Sequence, residues 1–412
     1  MKCGLLGRKL GHSYSPAIHA MLGDYEYRLY EIEPESIETF LRHGDWDGIN
    51  VTMPYKQAVI PFLDDLTSTA SQLGAVNTII RRGDKLIGTN TDYWGFLSML
   101  SKSKLSPAEK KCLVLGNGGA SKVVQYVLQE KNANVVVISR GGENNYENIC
   151  QHSDAAIIVN TTPVGMYPTT GFSPVDLEIF PNLEGVLDLV YNPARTKLLM
   201  DAQKRGIVAM NGLWMLISQA MYAIHFIAPN LPQKIHIGEA FPVMQAEMEN
   251  IIFIGMPGSG KSTVGQLVAQ KTGKVFVDTD TEIQKLAQKT IPKIFAEDGE
   301  VAFRDYETRI LEKYGKQSGL VIATGGGCVT KERNYPLLHQ NGTIFWLQRN
   351  IDQLPTEGRP LSENASLQKM YQIRQPLYHH FADVIIDNND DISLTVSQIM
   401  DHLSGSHSTA AL

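Results

Sequence analysis

Cysteine, long apolar runs and excess positive charge are all scarce in this chain of 412 residues. Its four cysteines, Cys3, Cys112, Cys150 and Cys328, lack the close spacing of metal ligands, so we expect thiols in a reducing cytosol. No apolar run approaches the ~20 residues of a membrane span. The run before Arg8 is too short for a signal peptide. These scarcities predict a cytoplasmic protein without a membrane partner.

The balance of charged residues limits the classes of ligand that are expected. The chain carries 37 Lys and Arg against 43 Asp and Glu, a net charge of −6. This balance argues against a broad nucleic-acid surface, so we expect no nucleic-acid partner and expect local lysine or arginine to bind any anionic ligand. The length exceeds what one hydrophobic core usually supports, which predicts two or three domains. A monomer and a homodimer both remain open.

Three series of alternating strand and helix patterns follow one another along the chain. The first runs from Lys2 to about Arg82, the second from "CLVLGNGG" to "GIVAM", and the third begins at "NIIFIGMPGSGKS". Strands separated by helical lengths indicate parallel sheets covered on both faces, so the predicted fold class is α/β. The periodicity of "IGEAFPVMQAEME" predicts a helix that runs almost directly into the third series. The final "SGSHSTAAL" is expected to be disordered.

A phosphate-binding loop opens the third series. Gly255, Gly260, Lys261 and Ser262 match the spacing G-x-x-x-x-G-K-S between the apolar "IIFI" and the helical "STVGQLVAQ". In such a loop, backbone N–H groups surround the β-phosphate, the lysine neutralises β- and γ-phosphate oxygens, and the serine ligates Mg²⁺. The motif predicts ATP, Mg²⁺ and phosphoryl transfer, but it does not identify the acceptor.

Residues after the loop narrow the choice of acceptor. "VFVDTD" ends an apolar strand with Asp278 and Asp280, and a spacing of two on a strand would place both carboxylates on one face. One could hold magnesium through water, and the other could accept a hydroxyl proton. "IFAEDGEVAFRDYE", "LVIATGGG", "GRPL" and "RQPLY" follow. Together with the loop, these motifs resemble the shikimate kinase family from about Asn250 to His402.

The resemblance implies roles for individual residues of the third series. The residues that would bind the hydroxyls and carboxylate of shikimate are Asp280, Arg304, Gly325, Gly326, Gly327 and Arg374. The ATP-binding residues would be Gly258, Ser259, Gly260, Lys261, Ser262, Thr263 and Arg359, the last on a mobile lid. Asp278 would join Ser262 as a metal ligand, and Lys261, Asp280 and Arg359 would be catalytic. Without the other motifs, Arg304 would be interpreted as a surface ion-pair residue of a helix.

The first series carries short polar motifs beside its apolar runs. "GHSYSPAIHAM" supplies Ser13 and Ser15 at a helix start, "INVTMPYK" supplies Lys56, "GAVNT" supplies Asn77 and "GTNTDYWGF" supplies Asp92. Alone, S-x-S-P is an ordinary beginning of a helix. The ordered series resembles the shikimate dehydrogenase family from Lys2 to about Glu249.

By that resemblance, Lys56 and Asp92 form a catalytic dyad. The substrate-binding residues would be Ser13 and Ser15 for the carboxylate, and Thr52, Asn77 and Gln219 for the ring hydroxyls. Reduction of a ketone builds negative charge on its oxygen, so a proton must come from a group within hydrogen-bond reach. A coupled pair titrates as a unit, and the sequence leaves open which of its two members gives up the proton.

A glycine cluster in "CLVLGNGGASKVV" occupies the dinucleotide-binding position between a strand and a helix. By itself it fits a plain tight turn equally well. The next strand ends in Ser139 and Arg140 instead of the acid of an NAD site, which indicates NADP. Gly141 replaces the threonine usual in the family, so a relaxed preference stays open. The implied NADP-binding residues are Gly116, Asn117, Gly118, Gly119, Ala120, Ser139, Arg140, Leu189, Tyr191, Gly212 and Met215.

The two resemblances predict a bifunctional enzyme of aromatic biosynthesis that reduces 3-dehydroshikimate with NADPH and phosphorylates the resulting shikimate with ATP and Mg²⁺. The predicted domains are an α/β substrate lobe at 1–98 completed by 212–249, a Rossmann NADP lobe at 99–211, a P-loop kinase domain with a parallel sheet at 250–405, and a disordered tail at 406–412. Three alternatives remain: a quinate-preferring dehydrogenase, a kinase of another polyol or of a nucleotide, and one half acting as a non-catalytic regulatory module.

Overall fold

The computed structural model describes residues 1–11, 13–354 and 364–409, which form two compact units. Unit 1 comprises Met1–Pro163, Pro174–Tyr191 and Leu198–Met244, and unit 2 comprises Val164–Ser173, Asn192–Lys197 and Gln245–Leu412. Two short segments from within the predicted NADP lobe therefore belong to unit 2. The division between the units falls inside a helix, a few residues before the predicted boundary at 249/250.

The first sheet of unit 1 is mixed. Its strands are β1 (Lys2–Gly7), β2 (Glu26–Glu31), β3 (Gly48–Val51), β4 (Asp65–Leu66), β5 (Thr78–Arg82) and β6 (Lys85–Thr89), in the order β2-β1-β3-β5-β6-β4. β5 pairs antiparallel with both β3 and β6, so the expectation of a wholly parallel sheet was wrong here. The reason is local: Gly83, at φ +60°, and Asp84 make a two-residue hairpin between β5 and β6.

The other two sheets are wholly parallel, as predicted. The second has β7 (Lys111–Leu115), β8 (Asn134–Ile138), β9 (Ile157–Asn160), β10 (Gly185–Asp188) and β11 (Val208–Asn211), in the order β11-β10-β9-β7-β8. The third, in unit 2, has β12 (Asn250–Ile254), β13 (Val275–Asp278), β14 (Leu320–Ala323), β15 (Gly342–Gln348) and β16 (Val384–Asp387), in the order β13-β14-β12-β15-β16.

Helices connect these strands. The first nine are α1 (Ser15–Leu22), α2 (Ile37–His43), α3 (Tyr55–Ala58), α4 (Ser68–Leu73), α5 (Asp92–Ser103), α6 (Gly119–Glu130), α7 (Lys197–Lys204), α8 (Leu213–Ile227) and α9 (Ile237–Met248). The rest are α10 (Lys261–Thr272), α11 (Thr279–Ala287), α12 (Ile291–Glu297), α13 (Gly299–Tyr314), α14 (Asn334–His339), α15 (Asn364–Phe381) and α16 (Ile392–Thr409). One residue separates α9 from β12, so the predicted direct junction is confirmed.

The parallel strands are buried on both faces. In β7, Cys112 and Val114 pack into one apolar cluster, whereas Leu113 and Leu115 pack into another. This alternation is the period of two expected for a strand, and helices cover the clusters. Each fully buried large aliphatic side chain contributes roughly 1.5–3 kcal/mol. In the described part of the chain, no helix combines the length and apolar character of a membrane span.

Two local expectations differ from the structure. β13 ends at Asp278, whose carboxylate caps α11 by accepting the N–H of Thr281 at 3.1 Å. Asp280 therefore lies in the first helical turn, and the prediction that it shares a strand face with Asp278 was wrong because a capping aspartate begins a helix. At the other end, α16 continues to Thr409, into the segment 406–412 predicted to be disordered.

Candidate active sites

A first cavity of about 270 Å³ lies in unit 1. All the residues predicted to act on or bind the dehydrogenase substrate line it: Ser13, Ser15, Thr52, Lys56, Asn77, Asp92 and Gln219. Five of the predicted cofactor residues line it as well: Ala120, Leu189, Tyr191, Gly212 and Met215. The structure thus brings together residues that lie more than two hundred positions apart in the sequence, such as Ser13 and Gln219.

Lys56 and Asp92 are in direct contact in this cavity. The Lys56 Nζ donates to Asp92 Oδ2 at 2.5 Å. Lys56 lies on α3, the single turn that follows β3, and Asp92 is the first residue of α5, where the helix dipole favours a negative charge. The two side chains keep 23% and 13% of their surface exposed, so the pair faces the cavity without being sealed off.

Asn77 fixes the orientation of the Asp92 carboxylate. Its Nδ2 donates to Asp92 Oδ1 at 2.9 Å, while its Oδ1 accepts the N–H of Thr91 at 2.6 Å. Asn77 is only 3% exposed, so it is itself held rigidly. One carboxylate oxygen therefore binds the amide and the other binds the lysine.

Asn50 also lines the first cavity, and the sequence reasoning missed it. Its Oδ1 accepts from Tyr27 Oη at 2.9 Å, and its Nδ2 donates to Thr78 Oγ1 at 3.1 Å. Burial raises the pKa of Tyr27 well above its usual value, so the phenol stays protonated and donates. The available signal was a polar residue inside the otherwise apolar strand "GINV".

One glycine of the predicted dinucleotide turn has a backbone conformation that favours glycine. Gly116 has φ +99°, and its N–H donates to Ile138 O at 2.8 Å, which places the end of β8 beside the turn. Ser139 and Arg140 follow directly, so both adjoin the turn. A Cβ added at Gly118 or Gly119 would meet nothing within 4 Å, so the space in front of α6 is open.

A second cavity, of about 650 Å³, lies in unit 2. Predicted residues that line it are Gly258, Gly260, Lys261, Ser262, Thr263, Asp278, Asp280, Arg304, Gly325, Gly326, Gly327 and Arg374. Ser259 is fully buried instead, and its carbonyl accepts from Asn388 Nδ2 at 2.6 Å. Arg359 lies outside the described residues. Further lining residues, to which the sequence motifs assigned no role, include Gln284, Glu307, Arg349 and the apolar Ile291, Phe295 and Phe303.

The loop between β12 and α10 is wound around Lys261. Gly255, Gly258 and Gly260 have φ values of +145°, +86° and +90°, which other residues rarely adopt. The Lys261 Nζ donates to the carbonyls of Gly255 and Met256, each at 2.9 Å. Ser262 Oγ donates to Asp278 Oδ2 at 2.6 Å, so a hydroxyl and a carboxylate oxygen adjoin at the start of α10.

Arg304 is both a helical ion-pair residue and a cavity residue. Its Nη1 donates to the two carboxylate oxygens of Glu307 at 3.2 and 3.0 Å, and its Nη2 donates to Glu300 at 3.2 Å. These are the i,i+3 and i,i+4 pairs expected of a surface helix, yet Arg304 is only 7% exposed and Glu307 is fully buried. Burial raises the pKa of Glu307 to about 7, and Arg304 opposes that rise.

The "GGG" turn after β14 adjoins the two acidic side chains closely. A Cβ on Gly325 would lie 2.8 Å from Asp280 Oδ1 and 2.9 Å from Glu307 Oε1. The carbonyl of Gly326 accepts from Arg374 Nη1 at 3.1 Å and from Tyr378 Oη at 2.5 Å. Arg374, on α15, is thereby anchored at the rim of the cavity beside the turn.

These folds and cavities define a class for each unit: an α/β dinucleotide-binding dehydrogenase for unit 1 and a P-loop phosphotransferase for unit 2. The family model described as the shikimate dehydrogenase substrate binding domain matches residues 5–79, and the one described as shikimate kinase matches residues 257–404. The chain is 36% identical over 241 residues to the shikimate dehydrogenase (NADP(+)) of Clostridium beijerinckii, covering 53% of this chain and 89% of that relative. The chain therefore belongs to the shikimate dehydrogenase family and carries in addition a shikimate kinase domain.

Solved structures resemble the same part of the chain. A chorismate mutase/shikimate 5-dehydrogenase fusion protein from Clostridium acetobutylicum matches with a TM-score of 0.56 and 36% identity, over 59% of this chain and 96% of that one. The shikimate 5-dehydrogenase of Thermus thermophilus, in complex with NADP(H) and shikimate, matches with a TM-score of 0.52 and 31% identity, over 58% of this chain and 98% of that one.

Proposed function

We propose that unit 1 reduces 3-dehydroshikimate to shikimate with NADPH, and that unit 2 then phosphorylates the 3-hydroxyl of shikimate with ATP and Mg²⁺. The observation that carries this proposal is a lysine–aspartate pair in a dehydrogenase cavity together with a P-loop facing buried arginines in the same chain. The four cysteines are unpaired, which supports a cytosolic location.

The residues at the glycine turn of unit 1 fit a dinucleotide. The open space before α6 admits a pyrophosphate at a helix N-terminus, and the neighbouring Ser139 and Arg140 offer a hydroxyl and a guanidinium to a 2′-phosphate. NADPH supplies the hydride when it is bound. Tyr191 and Met215 line the cavity that also holds Lys56, so nicotinamide and substrate can meet there.

The pair of Lys56 and Asp92 supplies the proton that the reduction requires. As the carbonyl carbon of 3-dehydroshikimate gains a hydride, its oxygen gains charge and takes a proton from the pair. Asp92 orients the ammonium and shares its hydrogen bonding, while Asn77 holds the carboxylate still. Ser13 and Ser15 would bind the substrate carboxylate, and Thr52 and Gln219 its hydroxyls.

The residues of unit 2 fit Mg²⁺ and a nucleotide. Mg²⁺ prefers hydroxyl and carboxylate oxygens completed by phosphates and water, and Ser262 and Asp278 provide those oxygens at one point. Mg²⁺ supplies charge neutralisation when it is bound. Lys261 lies at the beginning of α10 and would bind the β- and γ-phosphates.

The acceptor end of the second cavity suits a hydroxylated carboxylate. Arg304 and Arg374 are both largely buried, and each is oriented by a hydrogen bond to a neighbouring residue. They can therefore bind a carboxylate with little loss of side-chain entropy. Asp280 would accept the proton of the attacking hydroxyl. The lid role of Arg359 remains a prediction.

The decisive experiment is a coupled reaction. Purified full-length protein would be incubated with 3-dehydroshikimate, NADPH and Mg·ATP, and the products followed by mass. We expect shikimate to form first and shikimate 3-phosphate second. Without Mg·ATP the reaction should stop at shikimate, and without NADPH neither product should form.

Parallel assays distinguish the alternatives. A higher kcat/KM for quinate with NAD than for shikimate with NADP would make unit 1 a quinate dehydrogenase. If ADP forms with another polyol or with a nucleotide but not with shikimate, then unit 2 phosphorylates that compound and shikimate is not its acceptor. Absence of one activity, with its ligand still bound, would identify that unit as a regulatory module.

A further inference from the structure

Arg349 lines the second cavity, yet no motif gives it a role. It is the residue directly after β15, whose last residue is Gln348. In the third sheet, Ile254 at the end of β12 pairs with Trp346, and a Cβ on Gly255 would lie 2.6 Å from the carbonyl of Leu347. Arg349 therefore emerges beside the first residues of the phosphate-binding loop.

The side chain of Arg349 lacks the partners that such a residue normally has. The residue is half-buried and its Nε is buried, but within the described residues the Nε has no hydrogen-bond acceptor. A guanidinium carries five donors and no acceptor, so only an acceptor, best an anion, can satisfy it. A buried donor without one is unfavourable, which indicates that something else completes this site.

The other cations of the cavity are already engaged. Lys261 donates to two loop carbonyls, Arg304 pairs with Glu300 and Glu307, and Arg374 donates to the Gly326 carbonyl. Arg349 has no ion pair with any carboxylate of the described residues. Among the described residues, Arg349 is therefore the arginine of this cavity for which neither a side chain nor a backbone carbonyl serves as acceptor.

The strand order shows which end of the cavity Arg349 occupies. β13 and β14, on one side of β12, carry Asp280 and the turn Gly325–Gly327 at their carboxyl ends. Arg349 follows β15, on the other side of β12. The loop after β12 thus lies between Arg349 and the residues assigned to the phosphate acceptor, so Arg349 is on the nucleotide side.

We propose that Arg349 binds the phosphate chain of the nucleotide, on the side of the loop away from the acceptor. This rests on the proposed function, because it assumes that ATP binds in the second cavity. The planar guanidinium matches two phosphate oxygens at once, which lysine cannot do. Arg349 would neutralise charge on the same phosphates as Lys261, from the end of β15 instead of from the beginning of α10.

The test compares Arg349→Gln and Arg349→Lys with the unaltered full chain, and Arg309→Gln serves as a matched control. Arg309 is an exposed arginine of α13 in the same unit, and it does not line the cavity. Calorimetry would give the Kd of Mg·ADP, and steady-state assays the KM of ATP and of shikimate. A lost charge-assisted hydrogen bond should raise the Kd of Mg·ADP or the KM of ATP about 10- to 100-fold in Arg349→Gln. Arg349→Lys should lose less, and the shikimate KM and the Arg309→Gln variant should stay unchanged.

Two results would overturn the proposal. In the first, Arg349→Gln keeps the Kd of Mg·ADP and both kinetic constants for ATP within about twofold of the unaltered chain, by the scale just given. In the second, only the shikimate KM rises, which would place Arg349 at the acceptor. If the unaltered chain binds Mg·ADP but does not phosphorylate shikimate, the proposed acceptor fails while the Mg·ADP titrations still decide the role of Arg349.

Discussion

Charge is organised differently in the two cavities. In the first, the two reactive groups bind each other, Lys56 to Asp92, and a neutral amide holds the carboxylate. In the second, Lys261, Arg304 and Arg374 are each bound to a carbonyl or a carboxylate that orients them. Reduction needs one proton at one atom, so a single polarised pair suffices. Phosphoryl transfer needs charge spread around a large anion, so several pre-oriented cations are required.

The largest effect is expected from a substitution that removes Lys56 from its pair with Asp92 in the first cavity. Lys56→Ala removes one member of the pair that supplies the proton and leaves Asp92 without its cation, so kcat/KM for 3-dehydroshikimate reduction should fall about 10³- to 10⁴-fold. Initial rates of NADPH oxidation would measure it, with the exposed Lys85→Ala as control. Phosphorylation of added shikimate should be unchanged. Equal loss of both activities in folded protein would show that the two sites are not independent.

The converse substitution is in the second cavity. Lys261→Ala removes a preorganised charge from the phosphate-binding loop, and kcat for shikimate phosphorylation should fall about 10²- to 10³-fold. Reduction should persist. Lys271→Ala, on the exposed face of the same helix, is the control. A Lys261→Ala enzyme that retains a normal kcat would mean that other cations carry this site.

Local motifs made much of this comparison predictable. A strand, a glycine turn and a helix are set by adjacent residues, so the phosphate-binding loop and the Gly116 turn could be read directly. The positions of Lys56 and Asp92 followed from resemblance. Their 2.5 Å contact joins residues thirty-six positions apart, and only the folded arrangement of α3 and α5 produces it.

What could not be predicted depends on packing between distant elements. Spacing predicted ion pairs for Arg304 but not its burial, which changes a surface pair into part of a site. Arg349 follows an ordinary strand, and nothing in the local sequence indicates that its Nε is buried without a hydrogen-bond acceptor. That feature depends on the folded arrangement, in which Arg349 lies beside the loop after β12. The segment Asn192–Lys197 groups with unit 2 through hydrogen bonds to residues near 340 that no local pattern reveals.

That segment offers a way to test whether the units are separable. Arg195 donates to the carbonyls of His339 and Gly342 and pairs with Glu249 at 3.1 Å, all within unit 2. Arg195→Ala should lower the free energy of unfolding of unit 2 by about 3 kcal/mol, because three partly buried acceptors lose their donor. The urea midpoint for kinase activity should fall while that for reductase activity stays, with the exposed Arg333→Ala as control. Matching shifts in both midpoints would mean that the units unfold together.

The buried acid of the second cavity, Glu307, predicts a pH dependence of the stability of unit 2. Burial raises the pKa of Glu307 to about 7 from the ordinary value of 4.5, so the folded protein holds an extra proton between those values. Stability of unit 2 should therefore fall as pH rises through this window, by about 3 kcal/mol in total. Glu307→Gln should remove that slope, and the exposed Glu312→Gln on the same helix should keep it. Identical slopes for all three proteins in urea titrations at pH 4.5 to 7 would contradict the shift.

The smallest expected effect concerns cofactor choice in unit 1. Arg140 is exposed beside the glycine turn, where a guanidinium would bind the 2′-phosphate of NADP. Arg140→Ala should reduce the ratio of kcat/KM for NADPH to that for NADH about tenfold, roughly 1.4 kcal/mol, because the exposed contact is partly screened. The control is Lys131→Ala, at the far end of α6. It removes one positive charge, as Arg140→Ala does, and should leave the ratio of kcat/KM values unaltered. If the ratio of kcat/KM values is unchanged in Arg140→Ala, then Ser139 and the backbone of the turn select the cofactor, and binding of the 2′-phosphate in unit 1 would rely on neutral donors.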